Sequence, residues 1–423
     1  MEAKRPYPSE QGCSAGKSGD VLAVDVASQK VACAAKTVAG LENLPLLDAN
    51  GRICGASLKS RINLPPFANS AMDGYAINRE ALSGSGPWRL PISDRIIAGD
   101  RRCNTLLPGT AIRIMTGASI PSGADCVVMQ EYCDRQDDSV VVHERPPIGK
   151  HIRQPGEDLG IGTCLVEDGE LLTPRHLALL AACGLAEVGV RRKVRIGLLS
   201  TGSELVEPGS ALSAGQIYNS NRTYLLSRLN RPWIETIDFG ILLDNPSEIR
   251  GAVSRAAGVC DVVITTGGVS TGEEDYMLDV LKQEQAELEV LKVAMRPGKP
   301  VTAGRLGSAM YFGLPGNPYA CAITFMQIAW PAIRKTGGLV PREGNHTAAV
   351  ANFQYSRKPG RTEYLPVSWN HSDDSGRPKV EQLGQVASAS LHPFVLARAI
   401  VVLPADVSEI NPGDILSMEP VDF

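Results

Sequence analysis

Three short glycine-bearing segments carry the residue types that bind anions: STGSE at 200–204, TTGGVSTGEED at 265–275 and LPGNP at 314–318. Glycine permits tight turns in which successive backbone N–H groups face outward, and a following helix N-terminus adds a favourable dipole. Ordinary strand-to-helix turns favour glycine too. Three such turns in one stretch, each after an apolar run, favour an anion or nucleotide site, with Gly267 and Gly268 as the backbone cradle and Ser203 beside it. No Gly-Lys-Ser/Thr follows the glycines, so this is not a Walker A loop. Carboxylates ride on the same turns: Glu204, Glu273, Glu274 and Asp275, with Asp244 after its own strand. Acidic groups beside phosphate commonly hold a hard divalent cation. Glu204 and Asp275 are the stronger candidates for that role, and Glu273 reads as a solvated or capping residue.

A fourth segment, KVAMRPGKP at 292–300, sets Lys292, Arg296 and Lys299 around a Pro-Gly turn. Such a turn can present cations to an oxyanion at low entropic cost; a hairpin corner with solvated charges fits the spacing equally well. Three further turns are unusually polar: PPFANSAMDGYA at 65–76, RIMTGA at 113–118 and RQPGEDL at 153–159. Asp73-Gly74 is a hairpin signal in its own right, and from the residues alone both readings, turn and site, stay open.

The elements that must position these groups follow from periodicity. Residues 1–20 form a polar tail with no apolar signal core. A mildly helical, Ala-rich stretch occupies 21–38, and short apolar runs broken by Gly, Pro, Asp and Ser make 62–142 β-rich. Thr173-Pro174 opens a helix stopped at Gly184. From 191 to 335, strands alternate with helices, which predicts a parallel α/β sheet. Its expected parts are strands at 194–199, 233–239 and 261–264, a strand pair at 289–294 and 308–313, and helices at 222–229 (capped by Ser220 or Asn221), 246–257, 275–285 and 319–335. The last 80 or so residues predict a small β domain.

At about 150 residues per domain, 423 residues imply three or four domains. A hydrophobic share of 43% and a charged share of 21% are ordinary for a globular chain and exclude global disorder. The net charge of −4 lacks the basic excess of a nucleic-acid binder, and 5% aromatics argue against a stacking surface for single strands. No apolar run of about 18 residues predicts a membrane span; a cytoplasmic location is expected. The ten cysteines contain no Cys-x-x-Cys pair and read as reduced thiols, several of them buried, rather than as zinc ligands.

Taken together, PPFANSAMDGYA, RIMTGA, RQPGEDL, LLSTGSELVEPG, TTGGVSTGEEDY, MRPGKP and GLPGNPYA, in this order, resemble the molybdopterin molybdenumtransferase family, of the MoeA and gephyrin E-domain type. The resemblance runs from about residue 20 to the end. It implies a multidomain α+β chain: a tail at 1–20; a discontinuous N-terminal domain at 21–60 and 144–190; an inserted β-rich domain at 61–143; an α/β molybdopterin-binding domain at 191–335, related to molybdopterin adenylyltransferases; and a C-terminal β domain at 336–423. It also implies a homodimer whose cleft joins the α/β domain of one subunit to N-terminal segments of the other. The expected activity is insertion of molybdenum into adenylylated molybdopterin, with Mg2+, giving molybdenum cofactor and AMP. Adenylylated molybdopterin and molybdate are the expected ligands, and transient contact with other cofactor-biosynthesis proteins is expected.

Carried over by motif position, Asp73, Thr116, Asp158 and Asp275 are the expected catalytic residues. Arg153, Ser203, Gly267, Gly268, Lys292, Arg296, Pro297, Lys299 and Pro315 are expected to bind substrate, and Glu204, Asp244 and Asp275 the metal. Arg296 stands where many members have Lys. His392 and Pro393 replace small hydroxyl residues of the family pattern, so Ser388 and Arg398 are left out of the set. Two other readings share these residues: a molybdopterin adenylyltransferase, whose TTGGTG turn is TTGGVS here, and a non-catalytic molybdopterin-binding scaffold. Nothing in the residues separates molybdate from tungstate.

Overall fold

The computed structural model describes residues 21–102, 104–267, 276–298, 301–340, 346–384 and 387–421. At its centre is a six-stranded sheet. Val194–Thr201 pairs in parallel with Ile234–Leu242 on one side and Val262–Thr266 on the other, and Val262–Thr266 pairs in parallel with Ala309–Leu314. These are the near-continuous apolar runs of a sheet covered on both faces. Val301–Leu306 and Glu287–Leu291 then add two antiparallel strands at the edge. The sequence reading had no strand at 301–306. Gly304 dilutes its apolar pattern, yet that glycine is required: a Cβ there would meet the Glu287 carbonyl oxygen at 2.1 Å.

The chain leaves Val194–Thr201 to one side of the sheet and returns on the other, through Pro246–Val259, to Val262–Thr266. This reversal of strand order opens a crevice at the carboxyl ends of those two strands, the usual ligand position in open α/β sheets. The helix after the first strand is Ser220–Leu229, and its cap is Asn219, whose side chain accepts from the Arg222 N–H at 3.1 Å. Ser220 and Asn221 are already inside the helix. Asn221 is buried and donates instead to the Gly316 carbonyl at 2.7 Å, tethering the LPGNP turn. That turn starts a helix of two α segments, Pro318–Thr324 and Trp330–Thr336, joined by a π turn at Phe325–Ala329. Pro331 follows directly and has no N–H for the α ladder, which accounts for the altered turn.

Residues 74–142 form a second six-stranded sheet, in the order Cys126–Met129, Gly74–Ile77, Ala111–Ile114, Trp88–Ile96, Ser139–Val142, Cys133–Gln136. The chain enters and leaves it through paired segments, Asn69–Ser70 with Ile152–Arg153 and Leu58–Lys59 with Cys164–Val166. Leu41–Pro45 pairs with Glu187–Arg191 below them. Helix Pro174–Ala182 carries the expected Thr173 cap, completed by His176. Helix Val24–Ala34 buries Val24, Ala27 and Val31 in the same core as the α/β sheet.

The C-terminal strands close on themselves. Thr362–Ser372, Pro378–Gln382, Thr347–Ala351, Ile415–Pro420 and Ala399–Leu403 pair in that cyclic order, a five-stranded barrel around Leu365, Val367, Val380 and Val401. The short strand Met295–Arg296 docks in parallel on Thr362–Ser372, with Arg296 opposite Glu363. Among the described residues, no helix is long and apolar enough to cross a membrane.

Two expectations follow. Burial pushes the Cys126 and Cys321 thiols up to about 12, whereas Cys33 and Cys164 are exposed. At pH 8 a thiol reagent should therefore label Cys33 and Cys164 in the native protein, and Cys126 and Cys321 only in denaturant, as read by peptide mass spectrometry. Gly74→Ala places a methyl 1.9 Å from the Val128 carbonyl oxygen. Chemical denaturation should show a loss of about 3 kcal/mol.

Candidate functional site

The three polar turns of the N-terminal part meet in space. The Ser70 N–H donates to Ala118 and the Gly117 N–H to Ser70, joining 65–76 to 113–118; the Ala71 N–H donates to His151, and Arg153 lies opposite Asn69. The Gly156 and Asp158 N–H groups donate to Pro65 and Leu64. At the centre, Asp73 Oδ1 accepts both the backbone N–H and the hydroxyl of Thr116, each at 2.7 Å. These two bonds, and then the charge of Arg113, hold the Asp73 carboxyl below its ordinary value of 3.8. Asp73 and Thr116 therefore act as a unit. Arg153 and Asp158 are exposed on the adjoining turn.

In the α/β domain Gly202, Gly267 and Gly316 sit at the crevice. Gly267 has φ +82°, donates to the Leu314 carbonyl at 3.3 Å, and would put a Cβ 2.5 Å from the Thr201 carbonyl oxygen. Gly316 lies on its other side, 4.0 Å from the Gly267 Cα to where a Cβ of residue 316 would be. Three strand ends are thus brought to backbone contact. The Thr201 hydroxyl at this point is buried with no hydrogen-bond partner among the described residues. Asp244 Oδ2 accepts the N–H of Ser203 at 2.9 Å and its hydroxyl at 2.6 Å. Both Ser203 donors are therefore taken, and Ser203 fixes Asp244. The Glu204 carboxylate folds back over Gly202, where a Cβ would lie 2.4 Å from Glu204 Oε2. Gly268, Asp275 and Lys299 lie outside the described residues.

A cavity of 320 Å³ opens between the α/β domain and the barrel. Arg296, Pro297 and Gly298 line one side and Pro315 and Asn317 another; Arg361, Glu363 and Ser388 come from the C-terminal part. Glu363 is 3% exposed; it pairs with Arg296 at 3.2 Å and with the buried Arg357 at 3.7 Å, and accepts from the Tyr355 hydroxyl at 2.9 Å. Asn317 donates to the Ser388 hydroxyl at 2.9 Å, and the Ala320 N–H to the Ser388 carbonyl at 3.0 Å. Ser388, left out on sequence grounds, is therefore a wall of this cavity. Arg361 and Glu363 were missed because only the tertiary pairing of Met295–Arg296 with Thr362–Ser372 brings them to the 295–298 turn. Lys292 is exposed and is not among the lining residues; its carbonyl accepts from the Leu22 N–H. Among the described residues, none of the hydrogen bonds of Asp73, Thr116, Arg153 or Asp158 reaches the α/β turns.

Because Asp73 is held below its ordinary value, the stability it lends is present above pH 3.8 and is lost as the pH falls through its lowered value. Thr116→Val removes the hydroxyl bond, so an NMR titration should show the Asp73 carboxyl moving up toward 3.8. An unmoved value would mean the backbone bond suffices.

Residues 22–184 match the MoeA N-terminal region (domain I and II), 197–335 a probable molybdopterin binding domain, and 348–421 the MoeA C-terminal region (domain IV). A molybdopterin molybdenumtransferase of Haemophilus influenzae is 37% identical over 381 residues, 90% of this chain and 93% of that protein. Molybdopterin molybdenumtransferase 2 of Mycobacterium tuberculosis is 35% identical over 88% of this chain and 92% of its own. The crystal structure of the molybdopterin biosynthesis MoeA protein of Pyrococcus horikoshii superposes with a TM-score of 0.82 at 25% identity, covering 95% of this chain and 100% of that one. With its three matched regions in order and its strand-end turns and barrel in place, the chain belongs to the MoeA family of molybdopterin molybdenumtransferases, proteins of molybdenum cofactor biosynthesis.

Proposed function

We propose that the protein inserts molybdenum into adenylylated molybdopterin, cleaving the pyrophosphate link to release AMP. The observation that carries this reading is the position of the 320 Å³ cavity. It shares Pro315 and Asn317 with the turn that touches Gly267, so a site for an oxyanion and a site for phosphate adjoin through one loop. Molybdate is a tetrahedral oxyanion, and guanidinium groups bind such oxygens with paired N–H donors. Arg296 and Arg361 supply the forks, and the Ser388 hydroxyl is a further polar contact. Glu363 orients Arg296 from behind and is itself neutralised by Arg357. The exchange of Lys for Arg at 296 suits this arrangement, since a guanidinium can face carboxylate and oxyanion at once.

At the crevice the glycines let the backbone pack closely, with the Glu204 carboxylate over Gly202 and the Thr201 carbonyl against Gly267. A divalent cation such as Mg2+ is also proposed. Its fit rests on oxygen donors, the type a hard cation takes: Asp244 has Oδ1 outside the Ser203 bonds, and Glu204 is exposed beside it. Glu204 and Asp244, with Asp275, would hold the ion, which would neutralise pyrophosphate charge. Among the described residues, no three His, Cys, Asp or Glu groups are already gathered for a metal. The Asp73–Thr116 unit, Arg153 and Asp158 would reach this crevice from a second copy of the chain in a homodimer, in the cytoplasm.

The test is the molybdate dependence of AMP release. Arg361→Ala should raise the molybdate concentration needed for half-maximal release at least tenfold, with binding of the adenylylated pterin unchanged. Glu363→Gln should act in the same direction but less. Asp244→Asn should raise the divalent-cation concentration needed for half-maximal AMP release at least tenfold. An unaltered molybdate curve in Arg361→Ala would sink the cavity as the oxyanion site.

A further inference from the structure

A second cavity, of 530 Å³, lies on the N-terminal β sheet and is lined by Ile92, Ser93, Asp94, Arg95, Arg113, Met115 and Arg135. Three arginines come from three different strands, Trp88–Ile96, Ala111–Ile114 and Cys133–Gln136. Arg95 and Arg113 lie directly opposite each other on the parallel pair of the first two. Like charges in register across strands repel, so the folded sheet holds a cation pair that nothing in its backbone requires. The one carboxylate of the lining, Asp94, accepts the Arg95 backbone N–H at 2.7 Å and pairs with Arg102 at 3.3 Å. Arg113 is fixed, stacked 4.9 Å over the Tyr75 ring and bonded to the Gln130 side chain. Arg135 is turned by a bond from its Nε to the Asp137 carbonyl at 3.4 Å. The Arg95 guanidinium has no hydrogen-bond or ion-pair partner among the described residues.

We propose that this cavity binds the phosphate or pyrophosphate group of a small molecule. Its volume is that of a small-ligand pocket. Three arginines lining one cavity match a multiply charged tetrahedral oxyanion better than a single carboxylate. An anion placed between Arg95 and Arg113 turns their repulsion into two attractions, the physical reason for keeping them in register. The site stands apart from the 320 Å³ cavity and shares no residue with it. It does not depend on the transferase reading.

Arginine footprinting tests this on the full-length protein. Phenylglyoxal modification is followed residue by residue by peptide mass spectrometry, at constant ionic strength, with and without inorganic pyrophosphate, inorganic phosphate or AMP. Pyrophosphate should slow modification of Arg95 and Arg135 at least threefold and leave the exposed Arg101 and Arg175 unchanged. Protection by AMP as well assigns the site to phosphate esters; protection by the inorganic ions alone assigns it to free phosphate species. In titration calorimetry with pyrophosphate, Arg95→Ala combined with Arg135→Ala should remove one binding event, which the Lys59→Ala control keeps. The paired Lys substitutions at 95 and 135 should restore part of it, which separates lost charge from lost fold. No protection by any of the three anions, equal protection at the control arginines, or an unchanged isotherm in the double variant would overturn the proposal, whatever the outcome for AMP release.

Discussion

The constraint on which the structure turns is backbone crowding where three parallel strands end. Gly267 fits only because nothing projects from it toward the Thr201 carbonyl, and the same glycine bonds to Leu314. That contact draws the STGSE, TTGG and LPGNP turns into one crevice. The reversal of strand order at the neighbouring strands Val194–Thr201 and Val262–Thr266 keeps the crevice open. A β-carbon at 267 would separate the turns, and with them Asp244 and Pro315.

The second dependence is the seam between the α/β domain and the barrel. Met295–Arg296 is a strand of the barrel sheet although it belongs to the preceding domain in sequence. That register puts Arg296 opposite Glu363 and lets a buried carboxylate hold an exposed guanidinium. A buried carboxylate is tolerated only when charges and donors surround it. Arg357, Arg296 and Tyr355 do so here. The C-terminal part is thus a wall of the cavity as well as a structural cap.

Much of this was legible in the residues. The apolar runs of the α/β sheet, the Thr173 cap and the glycine turns have local signals, and local signals survive folding. The parts that were not legible depend on tertiary pairing. Residues 361 and 363 reach the 295–298 turn because Met295–Arg296 pairs with Thr362–Ser372, and Ser388 because Asn317 and the Ala320 N–H hold it; no spacing along the chain encodes those contacts. Val301–Leu306 was hidden because Gly304, placed there for close packing against Glu287, erases the alternation that marks a strand. Asn219 rather than its neighbours caps the following helix because Asn221 is needed to hold Gly316. In each case a tertiary contact decided between residues of equal local propensity.

On the reading we propose, one loop serves two neighbouring sites, for phosphate and for molybdate. This is tested most directly by mixing the purified protein with adenylylated molybdopterin and a divalent cation, then following AMP release as molybdate is added, with reconstitution of an apo-molybdoenzyme as the second readout. AMP that appears only with molybdate and metal, together with a gain of apo-enzyme activity, is the predicted result. Bound but intact adenylylated pterin at every molybdate concentration would contradict the account and leave a binding scaffold in its place.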